Sequence, residues 1–156
     1  MKTIVLGIGN TIRCDDGAGI EVVRMLAGRV QSEEIVIRET AEAGINLLDM
    51  IVGYEKLIII DSIQTEGGKV GDIYRFTKDE VRPSPDLKFS HNSGIMIVLE
   101  WGRSIKLDLP GEIIFYAIEA QECDVFDENL TSEVKKAIPK VADMIEKELD
   151  IARLEA

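Results

Sequence analysis

The sequence predicts a single α/β domain with a twisted, mostly parallel five-stranded sheet and helices on both faces. Three observations predict it. Short apolar, β-branched runs alternate with segments of helical spacing. The run from Leu57 to Ile60 is apolar without a break, as expected of a parallel strand covered on both sides. At 156 residues and 46% hydrophobic, the chain is long enough to bury one sizeable core, and no polar or Pro/Gly/Ser-rich tract divides it. Residues 1–156 are therefore expected to form one domain.

Taken in order, Thr3 to Ile8 reads as a buried strand that runs into glycine. Asp16 to Gly28 reads as a helix, with Ile20, Val23 and Leu26 on its apolar face and Glu21 and Arg24 opposite. Its two acids, Asp15 and Asp16, stand at the end that favours negative charge. Glu34 to Arg38 is a second strand and Gly44 to Ile51 a short helix. Lys56 to Asp61 is the clearest strand, and it ends abruptly in a carboxylate. Gly67-Gly68 makes a turn before a strand at Asp72 to Phe76, and Pro83-Ser84-Pro85 is a loop. Asn92 to Arg103 is expected to be helical and Glu112 to Ile118 a fifth strand. A long helix follows from Thr131, its expected N-cap, with Val134, Ile138, Val141, Ile145 and Leu149 on one face. Pro139 should kink that helix or split off its first turn.

Charge narrows the function classes. The chain has 29 acidic and 18 basic residues, a formal net charge of -11. Such a surface repels nucleic acid and anionic lipid, so neither is an expected partner; a basic peptide or a metal cation is a more natural one, and the plainer reading is a well-solvated surface. Cys14 and Cys123 lie far apart with no CxxC pair, so neither a disulfide framework nor structural zinc is expected, and a reducing cytoplasm fits. The first apolar run is too short for a signal peptide, and none approaches the ~18 residues of a membrane span. A soluble, cytoplasmic protein is expected.

The opening Gly7-Ile8-Gly9-Asn10 looks like the start of a phosphate-binding turn. A dinucleotide fingerprint needs a third glycine at position 12, which is Ile12, and the Gly-Lys-Ser/Thr of a P-loop is missing. Asp15 and Asp16 would also meet a phosphate with negative charge. Another set fits better. Asp16 follows the first strand and Asp61 the third, which puts both at the carboxyl edge of a parallel sheet, where such folds bind ligands. His91, the only histidine, precedes a helix. Two carboxylates and an imidazole suit a divalent transition metal with open coordination positions, which activates water or polarises a carbonyl. Each residue also has a plainer role: a charge at a helix start, a turn cap through Ser62, a loop histidine. A Cys14–His91 thiol dyad, or a nucleophilic Ser90 or Ser93, lacks a recognisable setting. Asp61-Ser62-Ile63 is not an aspartic-protease signature.

The motifs as a set resemble one family. Ile4-Val5-Leu6-Gly7-Ile8-Gly9-Asn10 with Asp15-Asp16-Gly17-Ala18-Gly19 is similar to the opening of the nickel–iron hydrogenase maturation endopeptidases. Leu57-Ile58-Ile59-Ile60-Asp61-Ser62, Ser90-His91-Asn92 and Leu130-Thr131-Ser132-Glu133-Val134 resemble their later signatures, in the same order. The resemblance implies a single cut that removes a C-terminal extension from a hydrogenase large-subunit precursor. It implies nickel presented by that precursor and recognised by the protease, with no metal held tightly by the isolated protein. Asp16, Asp61 and His91 match the family's metal-contacting and catalytic positions. Some members have Glu where Asp16 stands, and many have Pro after the Glu that matches Glu119, where this chain has Ala120. The alternatives are a chaperone that holds the precursor without cutting it and, further off, a nucleotide-binding module.

Overall fold

Every residue of Thr3–Ile8, the first strand (β1), is buried, so both of its faces are covered. A computed structural model shows how, over residues 2–41, 44–80, 87–89, 92–121 and 126–155. Side chains alternate across a strand. Ile4, Leu6 and Ile8 enter one apolar cluster and Val5 the other. β1 pairs in parallel with Ile35–Thr40 (β2) on one side and Lys56–Thr65 (β3) on the other. β3 pairs in parallel with Glu112–Glu119 (β6), and Ile73–Thr77 (β4) closes the far edge antiparallel to β6. The five expected strands form one mostly parallel sheet in the order β2-β1-β3-β6-β4. A short strand, Leu87–Phe89 (β5), adds an antiparallel partner to the end of β3.

The helices take their places from their apolar stripes. Ala18–Ala27 (α1) and Ser132–Glu155 (α4) cover one face, where Val22, Leu26, Val134, Ile138 and Val141 pack on Ile58, Ile60 and Ile114. Asn46–Ile51 (α2) and Asn92–Ser104 (α3) cover the other, with Leu47, Ile51, Ile95 and Val98 against Leu57, Ile59 and Phe115. Among the described residues, no helix is long and apolar enough to cross a membrane.

Three expectations need correction. Asp61 does not end its strand: β3 continues to Thr65 because Ser62 and Ile63 still find partners on β6, and Ile63 to Thr65 find them on β5. The helix expected from Asp16 starts with a separate 3-10 turn, Cys14–Gly17, before α1 begins at Ala18. Of the two outcomes expected at Pro139, the split does not occur: α4 runs from Ser132 to Glu155 with Pro139 inside it. The residues around it, Ala137, Ile138, Val141 and Ala142, are all buried in one core, and that packing outweighs a missing backbone hydrogen bond.

α4 is also tied to the sheet by a buried phenol. Tyr116 on β6 donates its hydroxyl to Glu148 at 2.6 Å. Burial pushes the Tyr116 hydroxyl well above the usual tyrosine range, and the Glu148 carboxylate adds to it. The folded protein therefore keeps this proton at a pH where the unfolded chain loses it. The resulting stability is present below the ordinary value of 10.0 and is lost as pH rises beyond it. Urea denaturation at alkaline pH should show stability falling by up to about 1.4 kcal/mol per pH unit for this group. Tyr116→Phe should flatten that slope, and an unchanged slope would show that Tyr116 does not carry it.

Candidate active site at the carboxyl end of the sheet

β1 and β3 start level, but β3 is longer. Their ladder ends at Gly7↔Ile60, and β5 takes over the same edge of β3 at Ile63↔Phe89. Asp61 and Ser62 fall in the gap between the two partners. This is the carboxyl end of the parallel strands, where open α/β sheets form crevices. Asp61 is 2% exposed. Alternation from Leu57 and Ile59 puts it on the face covered by α2 and α3. Its Oδ1 accepts the Ser62 N–H at 2.8 Å, so the carboxylate is held against its own strand.

The chain leaving β1 brings Asp16 to the same end. Gly9 donates its N–H to the Thr40 carbonyl at 3.1 Å, and Asn10 donates to the Asp16 carbonyl at 3.3 Å. A Cβ on Gly9 would sit 2.1 Å from that Asp16 oxygen. Glycine is needed there for close passage of backbone past backbone. The Gly7-x-Gly9 pair is thus explained by close backbone packing. Asp16 itself is half-buried, its Oδ2 is shielded from solvent, and the turn that carries it packs against β3. His91 and Ser90 lie outside the described residues; the next residue, Asn92, is the first of α3. Among the described residues, no three His, Cys, Asp or Glu side chains are grouped to hold a metal ion.

Two further buried carboxylates, Asp15 and Glu119, were not among the expected site residues. Asp15 is fully buried. It accepts the backbone N–H groups of Gln121 at 2.9 Å and Thr131 at 2.8 Å, and the Thr131 hydroxyl at 2.9 Å. Thr131, the expected helix cap, thus directs both of its donors at Asp15. Glu119, at the end of β6, accepts the Thr65 N–H at 2.8 Å, the Thr65 hydroxyl, and the Tyr74 hydroxyl at 3.0 Å. It holds the extension of β3 that supports β5. Burial raises the Tyr74 hydroxyl's pKa, and the adjoining Glu119 charge also raises it. No spacing in the chain signals that these carboxylates meet Gln121, Thr131, Thr65 and Tyr74; Asp15 reads as a helix-start charge and Thr131 as a helix cap.

The cysteine expectation is also overturned. Cys14 is disulfide-bonded, which removes the Cys14–His91 thiol dyad. Cys123, the one other cysteine of the chain, lies outside the described residues. The cysteine argument for a reducing compartment no longer holds. Cys14 also adopts φ 52°, a left-handed conformation uncommon for a residue with a side chain, and its N–H is held by the Asp127 carbonyl at 2.8 Å.

The site therefore offers carboxylates at the carboxyl edge of the sheet, where a strand changes partner. Such groups supply hard oxygen ligands or a general base.

The chain is similar to known proteins in sequence and in fold. A family model described as hydrogenase maturation protease matches residues 20–148. The hydrogenase expression/formation protein HupD of Thiocapsa roseopersicina is 28% identical over 146 residues, which cover 92% of this chain and 65% of HupD, so the chain spans just under two thirds of that relative. The solved structure of the [NiFe] hydrogenase maturation protease HybD from Thermococcus kodakarensis is 28% identical, with a TM-score of 0.80 and coverage of 94% of this chain and 98% of that one. The hydrogenase maturating endopeptidase HybD from Escherichia coli, 23% identical, has the same fold at a TM-score of 0.83, covering 97% and 94% of the two chains.

Proposed function

This chain belongs to the hydrogenase maturation protease family, and on that premise we propose that it is an endopeptidase that removes a C-terminal extension from a nickel–iron hydrogenase large-subunit precursor. The observation that carries the reading is Asp61, a carboxylate 2% exposed at the point where β3 changes partner, beside the packed turn that bears Asp16. Open α/β sheets place their ligand sites at this edge, and a carboxylate held there can serve as an oxygen ligand or a general base.

In this reading the nickel arrives with the precursor and is part of the substrate. Asp16 and Asp61 supply oxygen ligands and His91 the nitrogen. Connectivity supports the third member: only Ser90 and His91 link Phe89, paired with Ile63, to Asn92 at the start of α3. A carboxylate, with Asp61 the candidate, takes the proton of the water that attacks the scissile carbonyl. Recognition of metal by an incomplete ligand set makes cutting wait for nickel insertion.

The test is to incubate the protein with nickel-loaded and nickel-free precursor and follow the extension by mass spectrometry. The loaded precursor should lose the extension, and His91→Ala should slow the loss at least about tenfold. A stable complex with the extension intact would favour the holding chaperone. Wild-type speed in His91→Ala would remove metal recognition through that residue.

A further inference from the structure

The two neighbouring acids of the 3-10 turn have opposite surroundings. Asp15 is fully buried and Asp16 half-buried. In a turn with three residues per revolution, successive side chains point about 120° apart, so one can face the core while the next faces the crevice. The direction of Asp16 is then set by whatever anchors Asp15.

That anchor is remote in sequence. The Asp15 carboxylate spans Gln121, just past the end of β6, and Thr131, just before α4. Backbone bonds reinforce it on the other side: Cys14 donates to Asp127 at 2.8 Å, and Asp127 donates to Ile12 at 2.9 Å. The turn is closed internally by the Asp16 N–H on the Arg13 carbonyl at 3.1 Å. Every one of these bonds sits within two residues of Asp16 or on the segment that holds it.

We propose that Asp15 is a positioning residue for Asp16. Its carboxylate pins the turn to the chain joining β6 to α4 and so aims Asp16 into the crevice. The inference rests on the reading that Asp16 takes part in the reaction.

An amide in place of the Asp15 carboxylate keeps its size but turns one acceptor into a donor, which then faces an N–H of Gln121 or Thr131. Processing of nickel-loaded precursor by Asp15→Asn should show kcat reduced about 10- to 100-fold, a tenth to a hundredth of wild type, with KM within about twofold. The folded fraction at the assay temperature, taken from urea denaturation, should fall far less than kcat. Thr131→Val should move kcat in the same direction, and Thr131→Ser, which keeps the hydroxyl, should restore it. A kcat that falls only in step with the folded fraction, or equal activity in Thr131→Val and Thr131→Ser, would overturn the proposal. Should Asp15→Asn fail to fold, the Thr131 pair decides. Full activity in Asp16→Asn would overturn the reading of the site itself, and this inference with it.

Discussion

Gly19→Ala is expected to destabilise the protein by about 3 kcal/mol, the upper end of what overpacking costs. A Cβ at this position would lie 2.4 Å from the Ile60 carbonyl oxygen and 2.7 Å from that of Ile8. Both are main-chain atoms, one at the end of β1 and one where the β1–β3 ladder ends, so no side-chain rotation relieves the clash. Gly7 belongs to the same contact, since its Cβ would meet the Gly19 carbonyl at 2.3 Å. Helix propensity pulls the other way, because alanine is favoured over glycine in a helix by about 1 kcal/mol. The sign of the change is therefore decisive. Urea denaturation should show a large loss; a variant as stable as the wild type would mean that α1 does not rest directly on the strand ends. Processing should fall too, because the turn bearing Asp16 leads straight into α1.

The second large effect is on activity alone. Asp61→Asn keeps the volume of the side chain and an oxygen for the Ser62 N–H, now at 2.8 Å. The fold should survive with a stability change of about 1 kcal/mol or less. The charge and the basicity are lost. Removal of a general base or an anionic ligand should slow processing by about 100-fold or more. Release of the extension, followed by mass alongside denaturation of the same sample, separates the two effects. A wild-type rate in a well-folded Asp61→Asn protein would take Asp61 out of the mechanism.

Asp61 shows how far the residues alone could be read. A carboxylate after four apolar residues stands out at the end of a buried run, and Asp61 is buried where the β1–β3 ladder ends. The reason differed: the strand does not stop at Asp61 but changes neighbour there, from β1 to β5. A three-residue strand such as Leu87–Phe89 carries too little pattern to be recognised, so the gap between partners in which Asp61 falls was invisible. Asp15 shows the opposite case. Nothing in Asp15-Asp16-Gly17 tells which acid faces inward, and the groups that decide it lie 106 and 116 residues away.

Local order follows from neighbours in the chain. Unbroken β-branched runs specify buried strands, three-and-four spacing specifies the covering helices, and their alternation specifies a parallel sheet, so class, layers and the carboxyl edge of the sheet are legible from one end to the other. The aim of a side chain is different. It depends on which donors from distant segments meet a carboxylate, whether β5 or solvent lies beside the end of β3, and what Cys14 is bonded to. Those partners are chosen by the packed core, which brings together groups whose spacing in the chain carries no signal of their contact.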